Sequence, residues 1–487
     1  MPRLSDIINN HQKYYEQSEK SDFDRARSYY RGDFWEVEGK LKGSLDTRIN
    51  SRYAQKNFVQ AICDTAISSL LGQNPQVASV PQTPEGQELA GSVSGLLEWG
   101  FRKVDMRSRA ALSLVDTSLC KRGIFKTSWN AQADAPIVSN VNPSMLFFDL
   151  SARHIGDIRY WIHAIPLTQI AFARKVKNKR YTIPKGVEIK PEVYPDWMLD
   201  PATAASKQMF KNVDRRVMIY EYYDCETGEG IHYHLDTKTV LFRGKYDIIP
   251  FSMYSLVHSG VDCTGISEVQ LILDQQANIN QLLTLWKRLA HLQVPKTLYD
   301  KGQITSEDLD AAFAASMGAF AGIDTSESGE NMRNLGSAFF RLPMPDDPTV
   351  VIRFIERLEN DVAFQSALAE AARGQASGAK TATEMAIIDA QLRTRLATRE
   401  GHLNEAIEDV AGKMFYLMQR YMKKPKAVRI SGATGMQYLS VEEITDLEMD
   451  FQMVAYNPIR KNPAVMLETL QAMIPLLAQA PNVDMFK

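Results

Sequence analysis

At 487 residues the chain is too long for one ordinary hydrophobic core, so about two to four packed regions are expected. Hydrophobic residues make up 45% and charged residues 23%, ordinary for a folded globular protein, and the 21 prolines and 27 glycines are scattered, which excludes a collagenous or Pro-rich tract. The balance of 56 basic against 58 acidic residues, formal net charge −2, argues against a dedicated nucleic-acid binder but not against a protein that surrounds DNA without gripping it.

The 20 methionines read first as core filler and second as adaptable surface. Cys63, Cys120, Cys225 and Cys263 are far apart and make no CxxC pair. Neither a zinc site nor a disulfide framework is expected, and reduced cytosolic assembly fits better. The N-terminus lacks an apolar signal region, and no stretch approaches the ~20 apolar residues of a membrane span. The expectation is a product that stays in the cytoplasm or joins a particle assembled there.

Residues 3–31 read as one or two polar helices rich in Tyr and charge. Residues 52–71 carry Phe58, Ile62, Ala66 and Leu70 at helical spacing and stop at Gly72 before Pro75. A link over 74–86 leads to a helical region over about 87–122. The period then changes. Between 137 and 243 the runs SMLFFD, YWIHAI, RRVMIYEYYD, GIHYHL and TVLFRG predict strands of a mixed or antiparallel sheet, with a hairpin around CETGEG. The basic stretch 174–212 reads as a surface excursion or an insertion.

Helix returns from Gly265 and ends before Pro295. Residues 295–350 are mixed, with a short acidic helix near 305–316, and a second helix follows from Val351 to the small-residue loop Gly374–Lys380. From Thr381 to Met422, residues Met385, Ile388, Leu392, Leu396, Leu403, Ile407, Val410, Met414, Leu417 and Tyr421 form one apolar face. That predicts a helix of about 60 Å, a strut or inter-subunit element, with Arg399 interrupting the stripe and weakening a coiled-coil reading. Strands and turns over 426–455, with FQMVAY the best strand, and a helix over 467–479 complete the chain.

Candidate sites are few. GQASGAKT, Gly374–Thr381, approaches a phosphate-binding loop, but Ala379 separates Gly378 from Lys380 and the preceding segment reads as helix, so a mobile helix–helix loop is the better reading. His232 and His234 alternate onto one strand face with Asp236 as a candidate third ligand, yet polar strand-face histidines are the default. Asp446–Asp450, DLEMD, lacks calcium-loop spacing and reads as a solvated turn. Trp286, Lys287 and Arg288 suit helix packing with snorkelled charges more than base stacking. No catalytic residue, metal site or cofactor is expected.

Four stretches carry a resemblance: NSRYAQKNFVQAICDTAISSLLGQNP, IIPFSMYSLVHSG, SEVQLILDQQANINQLL and, most specific, SGAKTATEMAIIDAQLRTRLATREGHLNEAIEDVAGKMFYLM. From about 50 to 455 the order of elements resembles the portal proteins of tailed double-stranded DNA phages. The resemblance implies an α+β portal fold with a long wing helix, paired stem helices, an α/β clip and a mixed β wing. It would place N-terminal region and wing at 1–265, stem helices at 266–291 and 352–372, the clip at 292–351 and a short crown at 456–487. Residues 382–455 would supply the long wing helix and C-terminal wing strands, and 373–381 a tunnel loop facing DNA through Gly374, Gln375, Ser377, Gly378, Lys380 and Thr381. It also implies a homo-oligomeric ring of about twelve subunits around double-stranded DNA. The implied partners are the terminase large subunit, major capsid and scaffolding proteins, and a head–tail adaptor, with no membrane. Another virion structural protein, adaptor or scaffold-like, is the alternative, and a nucleotide-binding packaging component the more distant one.

Overall fold

A computed structural model describes residues 4–37, 53–71, 74–191, 215–292, 297–299, 307, 339–341, 349–365, 382–429, 436–445 and 447–453. The chain is α+β and divides into two compact units, one of Met1–Asp33, Val59–Leu271 and Ser366–Lys487, the other of Phe34–Phe58 and Ile272–Gln365. In order, α1 (Leu4–Tyr14), a π-helical turn at Tyr15–Glu19, α2 (Lys20–Arg31), α3 (Phe34–Val37) and α4 (Phe58–Leu70) precede β1 (Val77–Pro81). Then come α5 (Pro84–Val104), α6 (Met106–Cys120), β2 (Gly123–Asn130), β3 (Ala135–Asn140), β4 (Leu146–Phe148), β5 (Tyr160–Thr168) and α7 (Gln169–Lys177). Strands β6 (Arg216–Asp224), β7 (Glu229–His234), β8 (Thr239–Lys245) and β9 (Phe251–Tyr254) lead to α8 (Leu273–Leu292), β10 (Thr297–Tyr299), β11 (Phe339–Arg341) and α9 (Thr349–Gln365). The last described elements are α10 (Ala382–Tyr421), β12 (Lys426–Arg429), β13 (Met436–Leu439) and β14 (Met449–Met453).

In the first unit, β4-β5-β6-β7-β8 form an antiparallel sheet and β3-β2-β9 a second one. The strand runs read between 144 and 244 are these strands, and the turn after Asp224 closes the β6–β7 hairpin. The helical region after residue 84 is two helices. Thr83 accepts from the Gly86 amide with Pro84 at the first helical position, and Asp105, at φ 52, breaks the run.

The core is built on the second half of α10. Leu403, Ala406, Ile407, Val410, Ala411, Met414 and Met418 are buried against Leu96, Leu97 and Phe101 of α5 and Phe125 and Val138 of the smaller sheet. Each fully buried Leu, Ile or Met contributes about 1.5–3 kcal/mol of transfer free energy, so this stripe is a large contribution to the stability of the unit. Gly100 allows the close approach of α5, because a Cβ there would lie 2.7 Å from Met414 Cε and 2.9 Å from Met418 Cε.

Several expectations differ from the fold. The helix expected from residue 52 begins at Phe58. The link at 74–86 contains a strand, β1, which pairs antiparallel with β14, Val77 opposite Met453. The expected solvated turn at DLEMD is partly that partner strand: Met449 and Asp450 are paired with Pro81 and Val80, while Asp446 lies outside the described residues. The basic excursion opens with the end of an ordered helix, α7. Residues 192–214 lie outside the described residues.

The second unit is a helix pair, α8 packed on α9, with β10 and β11 paired antiparallel between them in sequence. Ala277 and Ile279 of α8 and Ile355 and Val362 of α9 are buried. Residues 54–57 form no regular element, and α8 offers them and Phe58, the first residue of α4, a polar ladder. Thr284 Oγ1 accepts from the Ala54 amide at 3.1 Å, Asn280 Oδ1 from Lys56 at 2.8 Å and Gln276 Oε1 from Phe58 at 2.9 Å. Gln276 Nε2 returns a bond to the Lys56 carbonyl at 2.7 Å. Gln276, Asn280 and Thr284 recur every fourth residue, so one helix face substitutes for a neighbouring strand. The first of the implied stem helices starts at Leu273 rather than 266, since Glu268–Ile272 are taken up by turns. Most of the implied clip, and the implied crown, lie outside the described residues. Among the described residues no helix is long and apolar enough to cross a membrane.

Candidate functional site

The implied tunnel loop, Gly374 to Thr381, lies outside the described residues. Its flanks do not. The described helix before it ends at Gln365 and the one after it starts at Ala382.

The two sequence-selected histidines are 2% exposed, not a polar strand surface, and they do not share a ligand position. His232 lies between two phenols, with Tyr181 Oη 3.0 Å from Nδ1 and Tyr246 Oη 2.9 Å from Nε2. His234 Nδ1 meets Thr237 Oγ1 at 2.8 Å, and Asp236 is 3.9 Å from its Nε2. No set of three metal-ligating side chains occurs among the described residues. Trp286 and Lys287 are half-buried on α8, while the side chain of Arg288 is outside the described set. Burial pushes the Cys63 and Cys120 thiols up to about 12, so neither is a nucleophile at neutral pH.

The densest chemistry is a cluster that sequence reading missed, around Glu221 of β6. Its Oε2 accepts from Lys126 Nζ of β2 at 2.5 Å and from Tyr223 Oη at 2.9 Å. Lys126 Nζ also reaches His163 Nδ1 of β5 at 3.2 Å, and Glu221 Oε1 lies 3.7 Å from His232 Nδ1. Lys175 of α7 donates to Tyr181 Oη at 3.0 Å. Burial pushes the Glu221 carboxyl up, but Lys126 and the two histidines outweigh it and hold the group well below the usual carboxylate range. Burial, with Lys126 assisting for His163, pushes both His163 and His232 down to about 4. Glu221 is therefore ionised and the histidines neutral at pH 7. A proton could pass within this group, but Glu221 and His232 are 5% and 2% exposed and their partners are already engaged. A general acid or base must reach a substrate proton. The arrangement ties β2 of the smaller sheet to β5, β6 and β7 of the larger.

A hollow of about 190 Å³, lined by residues including Glu98, Phe101, Arg102, Asp105 and Arg107, contains none of this cluster. Its volume is below the roughly 300 Å³ at which small-molecule pockets begin.

A second buried ion pair explains the break in the apolar stripe of α10. Arg399 meets Glu268, whose carboxyl is raised by burial and lowered by the guanidinium. The sequence signal existed, a lone Arg on an apolar face, but its partner is far away in the chain.

No protein-family model matches the sequence, and no curated protein matches it significantly.

Proposed function

We propose that this chain is the subunit of a portal, the ring-shaped channel at one capsid vertex of a tailed double-stranded DNA phage. The observation that carries the reading is one sequence of elements. A packed helix pair, α8 and α9, brackets the β10–β11 strand pair, and residues 366–381 then lead into the 40-residue helix α10. In this reading α8 and α9 are stem helices, the residues between them the clip, residues 373–381 the tunnel loop and α10 the wing helix. The chain performs no bond chemistry. It guides DNA pumped by a separate terminase, retains it, joins head to tail through an adaptor and releases it at infection. It assembles in the host cytoplasm, with capsid and scaffolding proteins, into the virion.

Exposed apolar side chains support an assembly of copies. Val350 and Phe354, one turn apart on α9, are 76% and 51% exposed, and Leu285 on α8 is 45% exposed. One copy leaves these in water; a neighbour in a closed ring would cover them.

Electron microscopy of the purified protein, averaged in end-on view, tests the proposal. Rings with a central hole wide enough for a duplex support it. Filaments or solid particles point to another virion component. Deleting 374–380 should impair packaging or DNA retention more than ring assembly; loss of rings alone would remove the tunnel-loop assignment.

A further inference from the structure

The larger sheet carries an ordered basic outcrop. Thr168 Oγ1 accepts from the Ala171 amide at 3.2 Å and starts α7, which packs on β5 and β6. After Lys177 the chain turns sharply. Lys179 is left-handed at φ 56, and the Arg180 and Tyr181 amides return to the Lys175 carbonyl at 3.0 and 3.2 Å. Tyr181 then enters the interior, and the Thr182 amide donates to the Leu241 carbonyl at 2.9 Å. Phe172, Tyr181, Val217, Ile219 and Leu241 form a small core, with Ile183 and Ile189 packed against it. The backbone of this outcrop is therefore held from α7 to Ile189.

Its exposed charged side chains are nearly all cationic. Arg174, Lys177, Lys179, Arg180, Lys185 and Lys190 are all exposed. Glu188, paired with Lys190 at 3.5 Å, is the single acid between residues 174 and 190. The bland account is that cations in a last helical turn offset the helix dipole. That covers Arg174 and Lys177 but not Lys179, Arg180, Lys185 and Lys190, which lie beyond the helix. A formal net charge of −2 is an average over the whole chain and says nothing about such local segregation. Protein interfaces are depleted in Lys and enriched in aromatics. Here lysine dominates and the aromatic Tyr181 is turned inward, which favours phosphate over a protein partner.

We propose that the exposed cations of this outcrop, Arg174, Lys177, Lys179, Arg180, Lys185 and Lys190, bind the phosphate backbone of double-stranded nucleic acid without reading bases. The proposal does not depend on a ring. A ring that lacks this binding sinks it alone, and binding by a protein that forms no ring leaves it standing while the portal reading falls.

The test is fluorescence anisotropy of a labelled mixed-sequence duplex titrated with full-length protein at several salt concentrations. The variant K177E/K179E/K185E is compared with K13E/K103E/K245E, which makes the same charge change at exposed lysines elsewhere. The first should bind roughly tenfold or more weakly, with a log–log salt slope shallower by about 3, at about 0.9 per lost phosphate contact. The second should stay near the parent. K177Q/K179Q/K185Q should give an intermediate loss and guards against a folding defect in the charge reversal. Equal losses in both reversals, parent-like binding by the first, or no binding by the parent at low salt would overturn the proposal. Binding of polyglutamate with none of the duplex would replace it with an acidic protein partner.

Discussion

Arg122 and Glu19 form a two-pronged ion pair, Nη1 to Oε1 at 3.1 Å and Nη2 to Oε2 at 2.8 Å, with both side chains 4% exposed. It joins the π-helical turn before α2 to the start of β2. Glu19→Ala would leave a buried guanidinium without its carboxylate and should cost about 3–5 kcal/mol. Replacing both, Glu19→Leu with Arg122→Met, should cost much less. Urea denaturation of the single and double variants checks the ordering.

The Glu221 cluster makes stability depend on pH. Unfolded His163 and His232 take up protons near 6.5, whereas in the folded chain both wait until about 4. A lowered folded value means the stabilisation is complete above about 6.5 and is lost as pH falls towards 4. Each histidine should account for on the order of a few kcal/mol across that window. The lowered Glu221 carboxyl adds loss in the same direction at still lower pH. Urea midpoints at pH 7.5, 6 and 5 should fall steadily, and the double variant His163→Gln/His232→Gln should flatten the decline.

Gly123 opens β2 where no side chain fits. A Cβ there would collide with Ser113 Oγ and Thr117 Oγ1 and would lie 2.6 Å from Tyr254 Cε1. Gly123→Ala should destabilise by about 1–3 kcal/mol, read as a lower thermal midpoint.

The polar ladder on α8 gives a local test. Asn280→Leu removes the acceptor for the Lys56 amide and should cost about 1–3 kcal/mol. Hydrogen exchange should show Ala54–Phe58 losing protection, while α10 amides around Val410 keep theirs.

These residues also mark what could be read from sequence. Leu403, Ile407, Val410, Met414 and Leu417 repeat at helical steps, so α10 and its buried face were visible in advance. Strands β5 to β8 were visible too, as short apolar runs between turns. Arg399 could be noticed but not explained, because Glu268 lies on another segment. β1 was missed because Val77–Pro81 is short and ends in proline, and only pairing with Met449–Met453 makes it a strand. Gln276, Asn280 and Thr284 carry no signal of their own, because only the segment Ala54–Phe58 gives them partners. In each miss the deciding partner was distant in the chain.

The pairing of β1 with β14 also sets an order of events during synthesis. Val77 must wait for Met453, and Leu96, Leu97 and Phe101 for the α10 residues that cover them. At about 5–20 residues per second, the interval between the emergence of α5 and that of β14 is on the order of 20–70 s. During that time the residues of the second unit, which interrupt the first between Leu271 and Ser366, have all been made. The first unit therefore presents an open apolar half-core to the cell while its insertion is already available to fold. Nascent chains should be most dependent on chaperones between the appearance of α5 and the arrival of α10.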